Sequence, residues 1–147
     1  MGSSVWWCNQ GENWELERAN KVVSSSSKTT RLTFRETVGQ VKKGDICVHY
    51  KNMHLVALSQ AEEDGRSCYV PFSDYGEGWM FSTNYYDLKT PIHRNLVNTE
   101  ISKLALINGP IIKNGRVRFA YFIPFSAEGL RIIKSFSSEP WPKWAEL

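Results

Sequence analysis

Val41-Lys42-Lys43-Gly44-Asp45-Ile46-Cys47-Val48-His49-Tyr50 is the stretch from which the fold can be read. Lys42 to Asp45 is charged, carries a glycine and turns the chain. Ile46 to Tyr50 is a run of strand-forming residues. Lys51-Asn52 makes a tight turn into Met53 to Gln60, so the two runs read as a β-hairpin. Upstream, Val5-Trp6-Trp7-Cys8 reads as a short buried strand, ended by Asn9-Gln10-Gly11. Glu12 to Asn20 follows as a short helix anchored by Trp14 and Leu16. After Val22-Val23, the run Ser24 to Ser27 reads as a loop within one domain. Thr33-Phe34-Arg35-Glu36 fits a capping box opening a helical turn through Val41.

Downstream, Glu62 to Gly65 is an acidic turn, Cys68 to Phe72 a strand and Ser73 to Gly78 a Gly-rich loop. Trp79 to Leu88 reads as a long strand that Pro91 terminates. Asn98 or Thr99 caps a helix running to about Ile107, and Asn108-Gly109-Pro110 breaks it. Val117 to Phe125 reads as a strand, after which Ser126 caps a helix from Ala127 to Phe136. Strands with short inserted helices imply an α+β fold, a small, partly open β-barrel with its ligand site at the mouth. Residues 1–147 are expected to form a single domain. The opening Met1-Gly2-Ser3-Ser4 has the look of an expression-tag remnant, which leaves open that the domain was excised from a larger protein.

Lys and Arg total 18 against 15 Asp and Glu, a net charge of +3 that tolerates a polyanionic partner without demanding one. Cys8, Cys47 and Cys68 form no CxxC, so a zinc site is not expected. Cys8 and Cys47 lie in apolar runs and read as buried thiols in a reducing, cytoplasmic setting. No run approaches the length of a membrane helix, and the N-terminus does not read as a signal peptide. GxSxG, Walker, GxGxxG and HExxH patterns are missing, as is the HxE and PCxxC signature of zinc deaminases. Cys47 and His49 share a strand face at i,i+2, but no orienting acid accompanies them. A binding domain with no cofactor is therefore expected, not an enzyme.

Asn9, Gln10, His49 and Ser59 fall at predicted strand ends, and Asn or Gln can meet a base edge with two hydrogen bonds. Trp14, Tyr75, Trp79, Tyr85 and Tyr86 can stack on a flat ring, worth roughly 1–3 kcal/mol per base. Each has a plainer reading: a turn at Asn9-Gln10, a satisfied core histidine at His49, core filling for the aromatics. Their grouping at one barrel mouth favours a ligand. Lys28, Arg31, Lys42, Lys43 and Lys51 are the expected phosphate contacts. The Trp-rich tail, Pro140-Trp141-Pro142-Lys143-Trp144, offers a protein-interaction surface as a competing reading.

In its order of motifs the chain resembles EVE domains of the PUA-like superfamily, relatives of YTH readers. Val5 to Gly11 is similar to that family's opening strand, and Val41 to Tyr50 to its Lys-x-Gly-Asp landmark ending in His-Tyr. His54 to Ala61, Trp79 to Pro91 and Tyr121 to Ile133 resemble later strands and the closing helix. The resemblance implies a pocket for a modified base flipped out of double-stranded DNA, with RNA as the alternative partner. It further implies a specificity module of McrB-like modification-dependent restriction proteins, with a fused or partner AAA+ motor or nuclease. Carried over, Asn9 and Gln10 contact the base edge, and Ser24 and Ser25 line the pocket. His49, Tyr50 and Ser59 stand on its strands, and Tyr75 and Trp79 lie near its aromatic wall. The family's aromatic residue near Val22-Val23 is absent here, so either Trp14 or Tyr75 would complete the cage, or the ligand preference differs, or the pocket is non-functional.

Overall fold

In a computed structural model, residues 3–11, 13–28, 33–112 and 114–147 are described. Apolar and β-branched runs form β1 (Val5–Asn9), β2 (Val22–Ser26), β3 (Ile46–Lys51), β4 (His54–Ala61), β5 (Arg66–Tyr69), β6 (Glu77–His93) and β7 (Phe122–Pro124). Helices α1 (Trp14–Asn20), α2 (Arg94–Ser102) and α3 (Ala127–Ser135) connect or flank them, and Glu36–Gln40 and Lys143–Ala145 are 3-10 turns. The sheet runs β2-β6-β4-β3-β1-β7, with β5 also on β6. Among the strands of the described residues β1 and β3 form the one parallel pair, and an isolated bridge between Thr33 and Ala120 is parallel as well. The first part of β6 pairs with β2 and β5, its later part with β4, and register breaks between Leu55 and Ala57 help bend it. The result is the expected α+β, PUA-like, partly open barrel.

The barrel's gap lies between β2 and β7. Thr33 and Phe34 partly close it, their carbonyls accepting from Tyr121 N and Phe122 N. The outer edge of β2 is satisfied by side chains. Val22 O accepts from Tyr85, Ser24 N donates to Glu17, and Ser26 O accepts from Arg35. An edge capped in this way is blunted against pairing with another chain.

β1 divides two cores, because successive strand residues face opposite ways. Val5 and Trp7 pack outside the barrel with Leu130, Ile133 and Trp141, under α2 and α3. Trp6 and Cys8 pack inside it with Val23, Cys47, Phe81 and Phe122. Asp45, buried before β3, accepts from Trp6 Nε1, Ser4 N and Lys42 N, which ties the Gly44-Asp45 turn to β1.

The hairpin stands as expected, with Asn52 and Met53 both at positive φ (50° and 67°) in its two-residue turn. Ser126 caps α3 by accepting from Gly129 N. Several expectations are corrected. Ser24 to Ser26 belong to β2, paired with β6, and not to a loop. Pro91 does not end β6. It lies in the stretch between two registers, where its missing N–H breaks no ladder, and Ile92 and His93 pair again with β4. His93, not Asn98 or Thr99, caps α2, its ring accepting from Asn95 N. Thr33 caps nothing: its hydroxyl donates to Phe119 O. β5 lies earlier than expected, and β7 is three residues long because the chain before it winds through isolated bridges. On α1, Leu16 is exposed and Glu17 buried, since i,i+3 spacing from Trp14 selects position 17. Trp141 is packed into the outer core, so the tail is part of the fold and no free ligand-seeking arm.

Candidate functional site

Asn9 and Gln10 leave β1 in opposite directions. Gln10 turns inward, where its Oε1 meets His49 Nδ1 at 2.6 Å. The other ring nitrogen of His49 meets Ser59 Oγ at 2.7 Å. Gln10 Nε2 donates to Glu17 Oε2 at 3.3 Å. Glu17 Oε1 accepts from Ser24 N at 2.9 Å and from the Tyr121 hydroxyl at 2.5 Å. Tyr75 completes the chain, its hydroxyl donating to Ser24 Oγ at 2.8 Å. Six of the expected pocket residues are thus brought together: Gln10, Trp14, Ser24, His49, Ser59 and Tyr75.

Trp14 joins through ring contacts. The rings of Trp14, His49 and Tyr85 form a triangle, with centroids 5.8, 5.6 and 4.7 Å apart. His49 is fully buried, while Trp14 and Tyr85 are half-buried lips above it. The Arg18 guanidinium lies 5.0 Å from the centre of the Tyr85 ring and grips Asp87 through two hydrogen bonds of 2.8 and 2.6 Å. That bond holds the Asp87 carboxyl below its ordinary range.

Burial governs the ionisation of this network. It holds His49 down to about 3, so the ring is neutral. It pushes the Glu17 carboxyl up to about 7, against the lowering effect of bonds from Tyr121, Ser24 and Gln10. The network has two self-consistent directions. With Glu17 ionised, Gln10 NH2 donates to it, His49 Nδ1–H donates to Gln10 and Ser59 donates to His49. With a proton on Glu17 Oε2, the Gln10 amide reverses, His49 shifts its hydrogen to Nε2, and Ser59 accepts.

The other expected residues stand elsewhere. Asn9 faces outward: Oδ1 accepts from Trp7 Nε1 at 2.7 Å, and Nδ2 donates to Arg118 O and Ala120 O at 3.1 and 2.6 Å. Tyr50 shares that outer side, stacked on Trp7 at 5.5 Å. Ser25 and Trp79 face each other across β2 and β6. Ser25 donates to Arg35 O, and the Trp79 ring lies against Gly39, where an added Cβ would stand 2.7 Å from it. Lys51 reaches Gly11 O at 3.2 Å, beside the mouth. Lys42 and Lys43 are exposed at the other end of β3, roughly 20 Å away along the strand. Lys28 is exposed just beyond β2, and Arg31 lies outside the described residues.

Burial also pushes the thiols of Cys8 and Cys47 up. A protonated thiol is a poor nucleophile, and the nitrogens of His49 are already committed to Gln10 and Ser59. Among the described residues no group of three or more His, Cys, Asp or Glu could hold a metal ion. No helix of the described residues is long and apolar enough to cross a membrane.

No family model matches the sequence, and no curated protein matches it. Similar solved structures do exist. The YTH domain of Zygosaccharomyces rouxii MRB1, solved in complex with N6-methyladenosine RNA, superposes with a TM-score of 0.55 at 15% identity, over 94% of this chain and 89% of that one. The chain shares the fold of a YTH domain. Rpa0253 from Rhodopseudomonas palustris (TM-score 0.56, 12% identity, 91% and 92% covered) has the same architecture. So does Atu2648 from Agrobacterium tumefaciens (TM-score 0.56, 13% identity, 94% and 97% covered).

Glu17, Tyr121 and Arg18 are members of the site that sequence reasoning passed over. The signal for Glu17 was its i,i+3 spacing from Trp14 on a short helix. Nothing local in the sequence points Tyr121 toward it.

Proposed function

We propose that this chain binds nucleic acid and recognises a modified base, methylated cytosine or adenine in DNA, flipped out of the helix. It does so as the specificity module of a modification-dependent restriction system. The observation that carries this reading is the aromatic triangle over a hydrogen-bonded floor: Trp14 and Tyr85 above His49, with Gln10 and Ser59 at its nitrogens. A planar base enters by parting Trp14 from Tyr85, which meet edge to face at 75°. Stacking, and edge hydrogen bonds that the base gains in exchange for bonds within the Gln10–His49–Ser59 chain, then offset the unstacking cost of a few kcal/mol. The domain's part ends at recognition, and cleavage falls to a fused or partner motor or nuclease. RNA is the second reading, favoured by the similar YTH domain solved with methylated RNA.

Anisotropy titrations with duplexes of one sequence, carrying N6-methyladenine, 5-methylcytosine or neither, test the proposal. One modified duplex is expected to bind about tenfold tighter than the unmodified one, a difference of about 1.4 kcal/mol. Equal affinity for all, or no binding, overturns it. Competition by methylated RNA at matched salt decides between DNA and RNA.

Trp14→Ala is expected to weaken the preferred duplex roughly tenfold to a hundredfold, the loss of one stacking wall. Unchanged affinity would move the base site away from the triangle.

A further inference from the structure

Asn9 does not face the base floor, yet its position is informative. Its amide clasps the carbonyls on both sides of Phe119, Arg118 O and Ala120 O. Between them the chain makes a γ-turn, Ala120 N donating to Arg118 O at 2.9 Å. Thr33 Oγ1 holds Phe119 O, Arg118 N donates to Pro110 O, and Arg118 Nε donates to Gly109 O. Six hydrogen bonds fix this short turn. The ring at its tip has no such anchoring: Phe119 is 68% exposed. Ile107, on the adjoining turn held by Arg118, is 88% exposed. A tightly built loop that spends its backbone bonds presenting an apolar ring to water is a display device, because loose exposure needs no clasp.

Charge identifies what the ring meets. From Ile101 to Ala127 the sequence holds no Asp or Glu and four cations, Lys103, Lys113, Arg116 and Arg118. Arg116 and Arg118 enter no ion pair among the described residues. Lys103 is paired with Glu100, which leaves Arg116 and Arg118 as the cations flanking the ring in sequence, suited to phosphates. The ring is tethered to the base floor by the shortest possible link, since Asn9 holds its turn and Gln10, the next residue, holds His49.

We propose that Phe119 is the wedge that enters a DNA duplex where the modified base has left it. Resting on the base-recognition reading, this inference adds its duplex side. Extrusion leaves a gap with an orphan base opposite, and a flat apolar side chain filling the gap restores stacking that the flip removed. Phe119 stacks between the neighbouring base pairs while Arg116 and Arg118 contact the flanking phosphates.

The test compares a duplex carrying the preferred modified base with the same modified strand alone, by anisotropy, for wild type, Phe119→Ala and Phe119→Trp. Phe119→Ala is expected to bind the duplex about tenfold more weakly and the single strand within about twofold of wild type, because only a duplex has a gap to fill. Phe119→Trp, which keeps a flat ring, is expected to match wild type on both. An unchanged duplex affinity, or an equal loss on both substrates, overturns the wedge while leaving base recognition standing. A wild type that prefers the modified base in neither form overturns the recognition reading and the wedge with it. The exposed position of Phe119 keeps the fold intact in both variants, which an unshifted thermal midpoint confirms.

Discussion

His49→Ala is expected to cost about 3–5 kcal/mol of folding stability, although the residue replaced is polar. Removing the imidazole strands Gln10 Oε1 and Ser59 Oγ in a dry interior, at about 1–3 kcal/mol for each group left unpaired. It also empties the space under Trp14 and Tyr85, adding a cavity cost. Ser59→Ala removes one bond and leaves a ring nitrogen unpaired, so about 1–3 kcal/mol is expected for it. The two losses do not add, because both variants break one bond. A urea-denaturation cycle over His49, Ser59 and the double variant is expected to show coupling of more than about 0.5 kcal/mol. Additive losses, or a His49→Ala cost under about 1 kcal/mol, would mean that the network carries no stability. The outcome also bears on function. A floor whose hydrogen-bonding pattern is fixed for each protonation state of Glu17 is what discrimination between a modified and an unmodified base requires.

The legible parts of the fold were those governed by neighbouring residues. The hairpin from Ile46 to Ala61 announces itself by β-forming runs around Asn52, and α3 by Ser126 ahead of an apolar face. Gln10, His49 and Ser59 were expected at strand ends; His49 and Ser59 lie within β3 and β4, and all three meet in the barrel interior. Hidden parts depend on distant partners. Ser24 to Ser26 have weak strand preference, and what makes them a strand is pairing with Met80, Trp79 and Gly78. Gly78 matters there because a Cβ would stand 1.9 Å from Ser25 O. Glu17 reads as a solvated helix charge until Ser24, Gln10 and Tyr121 converge on it. Alternation alone separates Asn9 from Gln10 and His49 from Tyr50, since neighbours on a strand cannot face one slot. The basic residues were the least legible, because Lys42 and Lys43 reach the end of β3 opposite Lys51.

Stability toward urea is expected to be nearly independent of pH between about 4.5 and 6.5, because Glu17 and His49 oppose each other. Burial raises the Glu17 carboxyl from 4.5 to about 7, so in that interval the folded chain holds a proton that the unfolded chain releases. Its contribution is complete below pH 4.5 and is lost as pH rises to 7. Burial lowers His49 from 6.5 to about 3, so the unfolded chain takes up a proton that the folded one refuses. That contribution is complete above pH 6.5 and is lost as pH falls to 3. Where the intervals overlap, one slope cancels the other. Below pH 4.5 His49 titrates without Glu17 to oppose it, joined by the lowered carboxyls of Asp87, Glu63 and Glu139, and stability falls as pH drops; from pH 6.5 to 7 Glu17 is unopposed, and stability falls as pH rises. Glu17→Gln removes one side of the balance. In that variant stability is expected to climb from pH 4.5 to 6.5 by about 1.4 kcal/mol per pH unit, about 3 kcal/mol in all. Denaturation midpoints across this range read the slope directly. A flat variant would mean that His49 is not held neutral by burial. A variant and a wild type that climb with the same slope would mean that Glu17 is ionised in the folded state throughout. The Gln10–His49–Ser59 chain would then have one direction only, and the proton on Glu17 would have no part in setting which edge of a base the floor accepts.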